Sequence, residues 1–140
     1  MRHSWQQFQV SGFEPIDVEH QQLAVSLAKF LEAVNASETQ LVVLLLGRLV
    51  SQYASHFSFE ERLMAETGYE LAERHRQAHA VILEDANRFL QEAVKHGLSP
   101  SFRRWAAGRA LEGFRLHIAT NDVGLGRFLA ARARTRTRRG

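Results

Sequence analysis

Apolar residues recur along most of the chain at intervals of three and four residues, the spacing that places them on one face of an α-helix. No stretch alternates Val, Ile or Thr with polar residues, the pattern of a half-exposed strand. Breaks in the helical pattern divide the chain into four blocks of comparable length with short connections. The sequence therefore predicts an all-α fold, an up-down-up-down antiparallel four-helix bundle, preceded by an irregular N-terminal arm that ends at Pro15 and Ile16.

Residues with known preferences for helix ends set the expected boundaries. Asp17 is expected to cap the first helix, and Ser37-Glu-Thr-Gln40 matches the capping box that would open the second. Gly68 is expected to end the second helix, and Ser99 followed by Pro100 to open the fourth. The predicted helices span about 17–35, 39–66, 71–96 and 100–129.

Length and composition narrow the class of protein. A chain of 140 residues is the size of one domain, and its 45% apolar and 24% charged residues are typical of a soluble globular protein. Because there is no cysteine, a disulfide framework, a zinc thiolate site and a Cys-ligated iron–sulfur cluster are excluded. The longest apolar run, residues 41–46, is too short to span a membrane, and the N-terminus lacks the apolar core of a signal peptide. We expect a cytoplasmic protein without a membrane span.

The positive charge is concentrated at the C-terminus. Residues 132–139 contain five arginines and no acid, so the formal net charge of +3 falls to −2 when these arginines are set aside. A nucleic-acid partner is therefore not expected. Residues 1–130 are predicted to form the domain, and residues 131–140 a basic, disordered tail. The alternative is that the arginine-rich tail contacts an acidic protein partner or a membrane surface.

Each predicted helix carries histidine or carboxylate residues that could face the bundle interior, where side chains from facing helices converge on metals. These candidates are, in chain order, His20, His56, Glu60, His75, His79, His117 and Asp122. A pair four residues apart on a helix is by itself a weak signal, and a lone interior histidine is more often a hydrogen-bonded core residue. However, burying seven such groups without a metal would cost a few kcal/mol each. Together they indicate a metal site.

His117 and Asp122 are five residues apart, a step that turns a regular α-helix about 140° away from the first side chain. Both can face one metal site only if the helix widens locally, which predicts a π-type bulge between them. Gly124 and Gly126 would make the distortion less costly. The alternative is that Asp122 is a solvated acid.

The order His, His-x-x-x-Glu, His-x-x-x-His and His-x-x-x-x-Asp, one element per helix, resembles the hemerythrin family, and most closely its bacterial branch. The resemblance covers about residues 5–128 and all seven candidate ligands. Flanking segments agree as well: Ile16-Asp-Val-Glu-His20, His56-Phe-Ser-Phe-Glu-Glu-Arg-Leu-Met64, Gly68-Tyr69 and His117-Ile118.

The resemblance implies two iron ions joined by an oxo or hydroxo bridge. His75, His79 and His117 would bind one iron, His20 and His56 the other, and Glu60 and Asp122 would bridge them. The second iron would then be one ligand short, and dioxygen would bind there. The implied function is reversible dioxygen binding for storage, delivery or buffering, and not catalysis. The alternatives are an oxygen or redox sensor, a di-iron enzyme acting on peroxide or nitric oxide, and a structural zinc or manganese site.

Two positions depart from the family pattern. Bacterial relatives often carry a bulky aromatic residue where this chain has Gly113, and a tyrosine where it has Leu125. Gly113 is therefore expected to leave a gap beside the irons unless neighbouring side chains fill it. Leu23, Phe59 and Phe114, with Trp5 and Phe8 from the arm, are the candidates for filling it. The candidates for the oxygen pocket are Leu23, Phe59 and Phe114. The remaining histidines, His3 and His96, are expected not to be ligands, and Glu61, Glu66, Glu70 and Glu73 to face solvent.

Overall fold

The computed structural model describes residues 8–139, with side chains for residues 8–136, and this part of the chain contains helices and no strand. The first three helices are α1 (Glu14–Asn35), α2 (Thr39–Thr67) and α3 (Ala72–His96). A fourth helical stretch has four parts: α4 (Pro100–Ala107), α5 (Arg109–His117), a π-helical turn (Ile118–Asp122) and α6 (Val123–Arg139). The predicted all-α fold of four helical blocks is confirmed. No helix within residues 8–139 is long and apolar enough to cross a membrane.

Several predicted helix ends are confirmed. Gly68 follows α2 in the left-handed conformation, with φ of 66°, which a residue without a Cβ adopts readily. The Ser99 hydroxyl accepts a hydrogen bond from the backbone N–H of Phe102 at 3.1 Å, and Pro100 is the first residue of α4. These residues satisfy backbone groups that a helix end would otherwise leave without partners.

Two predicted caps were wrong. Helix α1 begins at Glu14, and Asp17 instead accepts hydrogen bonds from the backbone N–H groups of Ser11 and Gly12, at 2.8 and 3.2 Å. The capping box fails because the short connection from α1 to α2 puts Ser37 in the left-handed conformation, with φ of 56°. Its hydroxyl accepts a hydrogen bond from Arg103 at 3.0 Å instead of capping α2.

The fourth helical stretch is longer and less regular than expected. It breaks at Gly108, whose φ of −123° and ψ of −86° separate α4 from α5. It then continues to Arg139, beyond the expected end at about Leu129. Residues 131–136 are exposed on this last helix. The division into a domain and a separate tail stays a prediction.

Buried polar residues form a layer between two apolar clusters. The smaller cluster consists of Ile16, Met64, Leu125 and Leu129. The larger cluster includes Leu23, Leu27, Phe30, Leu46, Leu49, Phe57, Phe102, Trp105 and Phe114. On α1, His20 lies between Ile16 of the smaller cluster and Leu23 of the larger one. On the fourth helical stretch, the buried polar residues lie between Phe114 of the larger cluster and Leu125 of the smaller one. Apolar packing on both sides thus holds the polar layer in place and away from water.

Candidate metal centre

All seven residues that the sequence singled out as ligands lie in the polar layer, and none is more than 5% exposed. They come from α1, α2, α3, α5 and the end of the π-helical turn. Leaving the solvent is costly for an imidazole, and more so for a carboxylate, unless each finds a partner. Their shared burial therefore requires that they satisfy one another or a bound ion.

The seven residues form two groups in which the potential ligand atoms lie within 4.8 Å of one another. The three-histidine group contains His75, His79 and His117, and the two-histidine group contains His20 and His56. Glu60 and Asp122 belong to both groups. The structure therefore brings these seven side chains together in the two sets that the family resemblance implied, with the two carboxylates common to both.

Glu60 directs one oxygen to each group. Its Oε1 lies 2.9 Å from Nε2 of His79 and 3.2 Å from Nε2 of His75, whereas its Oε2 lies 3.0 Å from Nε2 of His56. A carboxylate held in this way has one lone pair available on each side, as a ligand that bridges two cations requires.

Asp122 repeats the arrangement from the fourth helical stretch. Its Oδ1 lies 2.9 Å from Nε2 of His75 and 3.1 Å from Nε2 of His117, and its Oδ2 lies 2.9 Å from Nε2 of His20. The π-helical turn, confirmed over Ile118–Asp122, makes this possible because it turns Asp122 onto the same side as His117. Asp122 is fully buried, so the alternative of a solvated acid was wrong.

Many of these atoms approach one another without forming hydrogen bonds. Within the described part of the chain, the buried atoms without a hydrogen-bond partner include both oxygens of Asp122, Oε2 of Glu60, and Nε2 of His20, His56, His75 and His117. Metal–nitrogen bonds of about 2.1 Å place neighbouring corners of an octahedron about 3.0 Å apart, close to the separations seen here. Unpartnered lone pairs at these distances fit metal ions, and imidazoles with carboxylates suit iron or zinc.

Without a metal, two histidines of the polar layer hold protons more strongly than a free imidazole does, because the pKa of each is raised. Burial opposes the charged form of His20, but its contacts with Asp122 and Glu60 outweigh burial and raise its pKa to about 9. His75 behaves in the same way, and its pKa is also raised to about 9. Burial favours the neutral forms of Glu60 and Asp122, yet the surrounding histidines hold the pKa of both carboxyls below their usual range. The carboxylates are therefore ionised and suited to bind a cation.

Two further carboxylates lie behind the histidines. Glu19 accepts a hydrogen bond from Nδ1 of His56 at 2.6 Å, and Glu61 accepts one from Nδ1 of His79 at 2.8 Å. Donation from Nδ1 fixes the tautomer and turns the Nε2 lone pair inward. The prediction that Glu61 faces solvent was wrong, and Glu19 was missed. In the sequence, Glu19 directly precedes His20 and Glu61 directly follows Glu60. A carboxylate next to a proposed ligand can reach a histidine on the next helix, and this adjacency could have identified both residues.

The predicted pocket residues fall in different places. Leu23 and Phe114 are buried in the larger cluster, and the Phe114 ring centroid lies 5.9 Å from that of His20 and 6.1 Å from that of His117. Phe59 is only partly buried and packs against the smaller cluster. A role of these three residues in holding dioxygen stays a prediction.

The other positions named from the sequence can also be located. Phe8 is buried and packs edge-on against Phe114, with ring centroids 5.4 Å apart, whereas Trp5 and His3 lie outside the described residues. Gly113 lines a cavity, and Leu125 is fully buried in the smaller cluster. His96 is exposed at the end of α3, away from the polar layer.

Comparison with known proteins agrees with this arrangement. The family model described as the hemerythrin HHE cation binding domain matches residues 11–129. The bacteriohemerythrin of Pseudomonas aeruginosa (strain LESB58) is 26% identical over 125 residues, which cover 86% of this chain and 76% of that protein. The bacteriohemerythrin of Stenotrophomonas maltophilia (strain R551-3) is 30% identical over 80 residues, which cover 57% of this chain and 52% of that protein. No solved structure gave a significant match.

Proposed function

The chain belongs to the hemerythrin HHE cation binding family, and we propose that it is a non-haem di-iron protein that binds dioxygen reversibly, for storage, delivery or buffering. The observation that carries the proposal is the position of Glu60 and Asp122, each with one oxygen toward the three-histidine group and one toward the two-histidine group. One ion in each group, with these carboxylates shared, would use all seven buried residues.

The bundle proposed for this function has the up-down-up-down antiparallel order, with residues before α1 as an arm. His20 lies near the start of α1, Glu60 near the end of α2 and His75 near the start of α3. For these residues to meet in one layer, successive helices must run in opposite directions. Alternating directions also fit the short connections between the helices.

The two groups differ in the number of imidazoles, which suggests where a small molecule would enter. His75, His79 and His117 would give their ion one more nitrogen ligand than His20 and His56 give theirs. Iron in the ferrous state would supply the affinity for dioxygen and the electrons that its reversible binding requires.

Side chains around the two-histidine group would shield the place where a small molecule would bind from water. Leu23 and Phe114, which are 1% and 2% exposed, lie on the side of His20 away from the smaller cluster. Apolar side chains at this place exclude water and anions, which would otherwise compete with a neutral molecule. This shielding favours a carrier over a hydrolytic enzyme.

An anaerobic visible spectrum of the reduced, iron-loaded protein tests the proposal, followed by exposure to air and then by removal of oxygen. We expect a colourless reduced form, a charge-transfer band in air and its loss under vacuum, with two iron ions per chain. An irreversible change to the oxidised spectrum would contradict reversible binding and favour the sensor or the enzyme acting on peroxide or nitric oxide. Zinc or manganese in protein isolated from cells would favour a structural site.

We further propose that residues 131–140 form a basic tail outside the domain. The described side chains of this segment, including Arg132, Arg134 and Arg136, are exposed. Exposed guanidinium groups suit an acidic surface on a protein partner. This contact and the cytoplasmic location stay predictions.

A further inference from the structure

A cavity of about 170 Å³, on the larger-cluster side of the polar layer, is lined by residues of all five helices from α1 to α5. Gly113 keeps it open, because a Cβ added at this position would meet no atom within 4 Å. Most of the lining is apolar and includes Leu27, Leu49, Ile82, Trp105, Ala110 and Phe114.

The size and lining of the cavity fit one small ring. An apolar cavity of about 150 Å³ in another protein stays dry and binds benzene. The present cavity is similar in volume, and three of its lining residues, Tyr53, Trp105 and Phe114, are aromatic. Aromatic side chains favour a flat guest because ring pairs attract one another in stacked or edge-on arrangements.

Tyr53 gives the cavity a polar group. Tyr53 lines the cavity and is 3% exposed, and its ring centroid lies 5.6 Å from that of Phe57 and 5.0 Å from that of Phe114. No hydrogen bond contributes to the raised pKa of Tyr53, which burial alone accounts for, and its hydroxyl is not among the fully enclosed polar atoms of the described residues that have no partner. A hydroxyl of a residue that lines the cavity can donate to or accept from a molecule bound there.

The charged groups at the mouth of the cavity are already paired. Asp85 accepts hydrogen bonds from Arg109 at 2.6 Å, from Arg88 at 2.6 Å and from the Trp105 indole N–H at 3.0 Å. A charged ligand would have to break these bonds, whereas a neutral one would not. The mouth therefore favours a neutral guest, and the exposed Val81 at its edge leaves an apolar entrance.

We propose that this cavity is a binding site for a small neutral aromatic molecule with one hydrogen-bonding group, of the size of phenol. The ring occupies the space beside Gly113, and its polar group bonds the Tyr53 hydroxyl. Burial raises the pKa of Tyr53, so its phenol stays protonated and can donate. The site needs no metal, and it shares Phe114 with the shielding of the two-histidine group.

Calorimetric titration of the iron-loaded protein with phenol and, separately, with benzene tests the site. We expect saturable binding of one phenol per chain. Gly113→Leu fills the cavity with a branched side chain and should weaken phenol binding by at least tenfold. Gly47→Leu is the matched control, because Gly47 is also helical with open space around its added Cβ but lies outside this cavity. It should leave the affinity for phenol within twofold of the original.

Tyr53→Phe separates the ring from the polar group, because it keeps the aromatic lining and removes only the hydroxyl. We expect phenol to bind roughly five- to tenfold more weakly, as the loss of one hydrogen bond predicts, with benzene affinity unchanged within twofold. Circular dichroism checks that each variant is folded. Absence of saturable phenol binding, equal affinity in Gly113→Leu, or equal loss of phenol and benzene in Tyr53→Phe would each overturn the proposal.

Discussion

Glu19 on α1 accepts a hydrogen bond of 2.6 Å from Nδ1 of His56 on α2, so a carboxylate beside one proposed ligand orients another. Such partners behind a ligating histidine fix its tautomer, and their loss weakens metal binding by about 10- to 100-fold. We expect Glu19→Gln, which removes the charge but keeps the shape, to weaken iron in the two-histidine group by about tenfold. Native mass spectrometry during chelator competition should show chains with one iron accumulating.

Glu61→Gln should act on the other group, because Glu61 bonds Nδ1 of His79. We expect the three-histidine group to lose iron first in this variant, again by about tenfold. Glu73→Gln is the control, since Glu73 is exposed and pairs only with its helix neighbours Arg76 and Gln77 among the described residues. If all three variants release iron at the same rate as the parent protein, the positioning role is wrong.

The sequence predicted which seven side chains come together better than it predicted the residues around them. Helical periodicity and the one-motif-per-helix pattern suffice to bring His20, Glu60 and His75 into one layer, and the five-residue step to Asp122 suffices to predict the π-helical turn. Glu61 was placed in solvent because helix periodicity gives the direction of a side chain, but not which long carboxylate bends toward the neighbouring helix.

The wrong helix caps have a related cause. Asp17 and Ser37 both have side chains that cap helices, and sequence preference alone cannot tell which backbone N–H groups will be nearby. In the fold, the segment before α1 turns back to place Ser11 and Gly12 beside Asp17, and Arg103 from α4 takes the Ser37 hydroxyl. These are tertiary contacts, whereas Ser99 caps through Phe102, three residues away, and was predicted correctly.

The metal-free protein should become less stable as pH rises from about 6.5 through 9. His20 and His75 have an ordinary pKa of 6.5 and a raised one of about 9 in the fold, where burial is outweighed by the contacts of both with Asp122 and Glu60. The folded state thus holds protons that the unfolded chain has released, and this stabilisation is complete below pH 6.5 and lost above 9. We expect the melting temperature in chelator to fall by more than about 5 °C between pH 6.5 and 9.5.

Iron loading supplies the control for this pH dependence. With metal bound, the imidazoles are neutral ligands that take up and release no proton over this pH range, so the melting temperature should change little. A variant of the exposed His96, His96→Gln, should leave the curve of the metal-free protein unchanged. A metal-free protein whose stability rises between pH 6.5 and 9.5 would contradict the pairing of His20 and His75 with the two carboxylates.

Removal of the arginine-rich segment tests whether it lies outside the domain. A chain ending after Ala131 loses five arginines, and the deleted side chains that the structure describes, those of residues 132–136, are exposed. We expect the melting temperature to stay within about 2 °C, which corresponds to less than about 1 kcal/mol, and the iron content to be unchanged. A larger loss of stability would show that the segment belongs to the domain.

Gly126 lies where α6 meets the segment before α1, and a Cβ there would collide with the Ser11 carbonyl oxygen and side chain. Ser11 cannot move away freely because its backbone N–H is bonded to Asp17 at 2.8 Å. We expect Gly126→Ala to lower the free energy of unfolding by about 1–3 kcal/mol through overpacking, as measured by urea denaturation.

Gly124→Ala is the comparison for Gly126→Ala, because it adds the same methyl group two residues away on the same helix. Its Cβ would lie 3.3 Å from the Tyr69 hydroxyl, the end of a partly exposed side chain that can shift. Alanine is favoured over glycine inside a helix by up to about 1 kcal/mol, so Gly124→Ala should be neutral or stabilising. If close contact with Ser11 selects glycine at position 126, only Gly126→Ala should be destabilising. Stabilisation by both variants would show that this contact yields without cost.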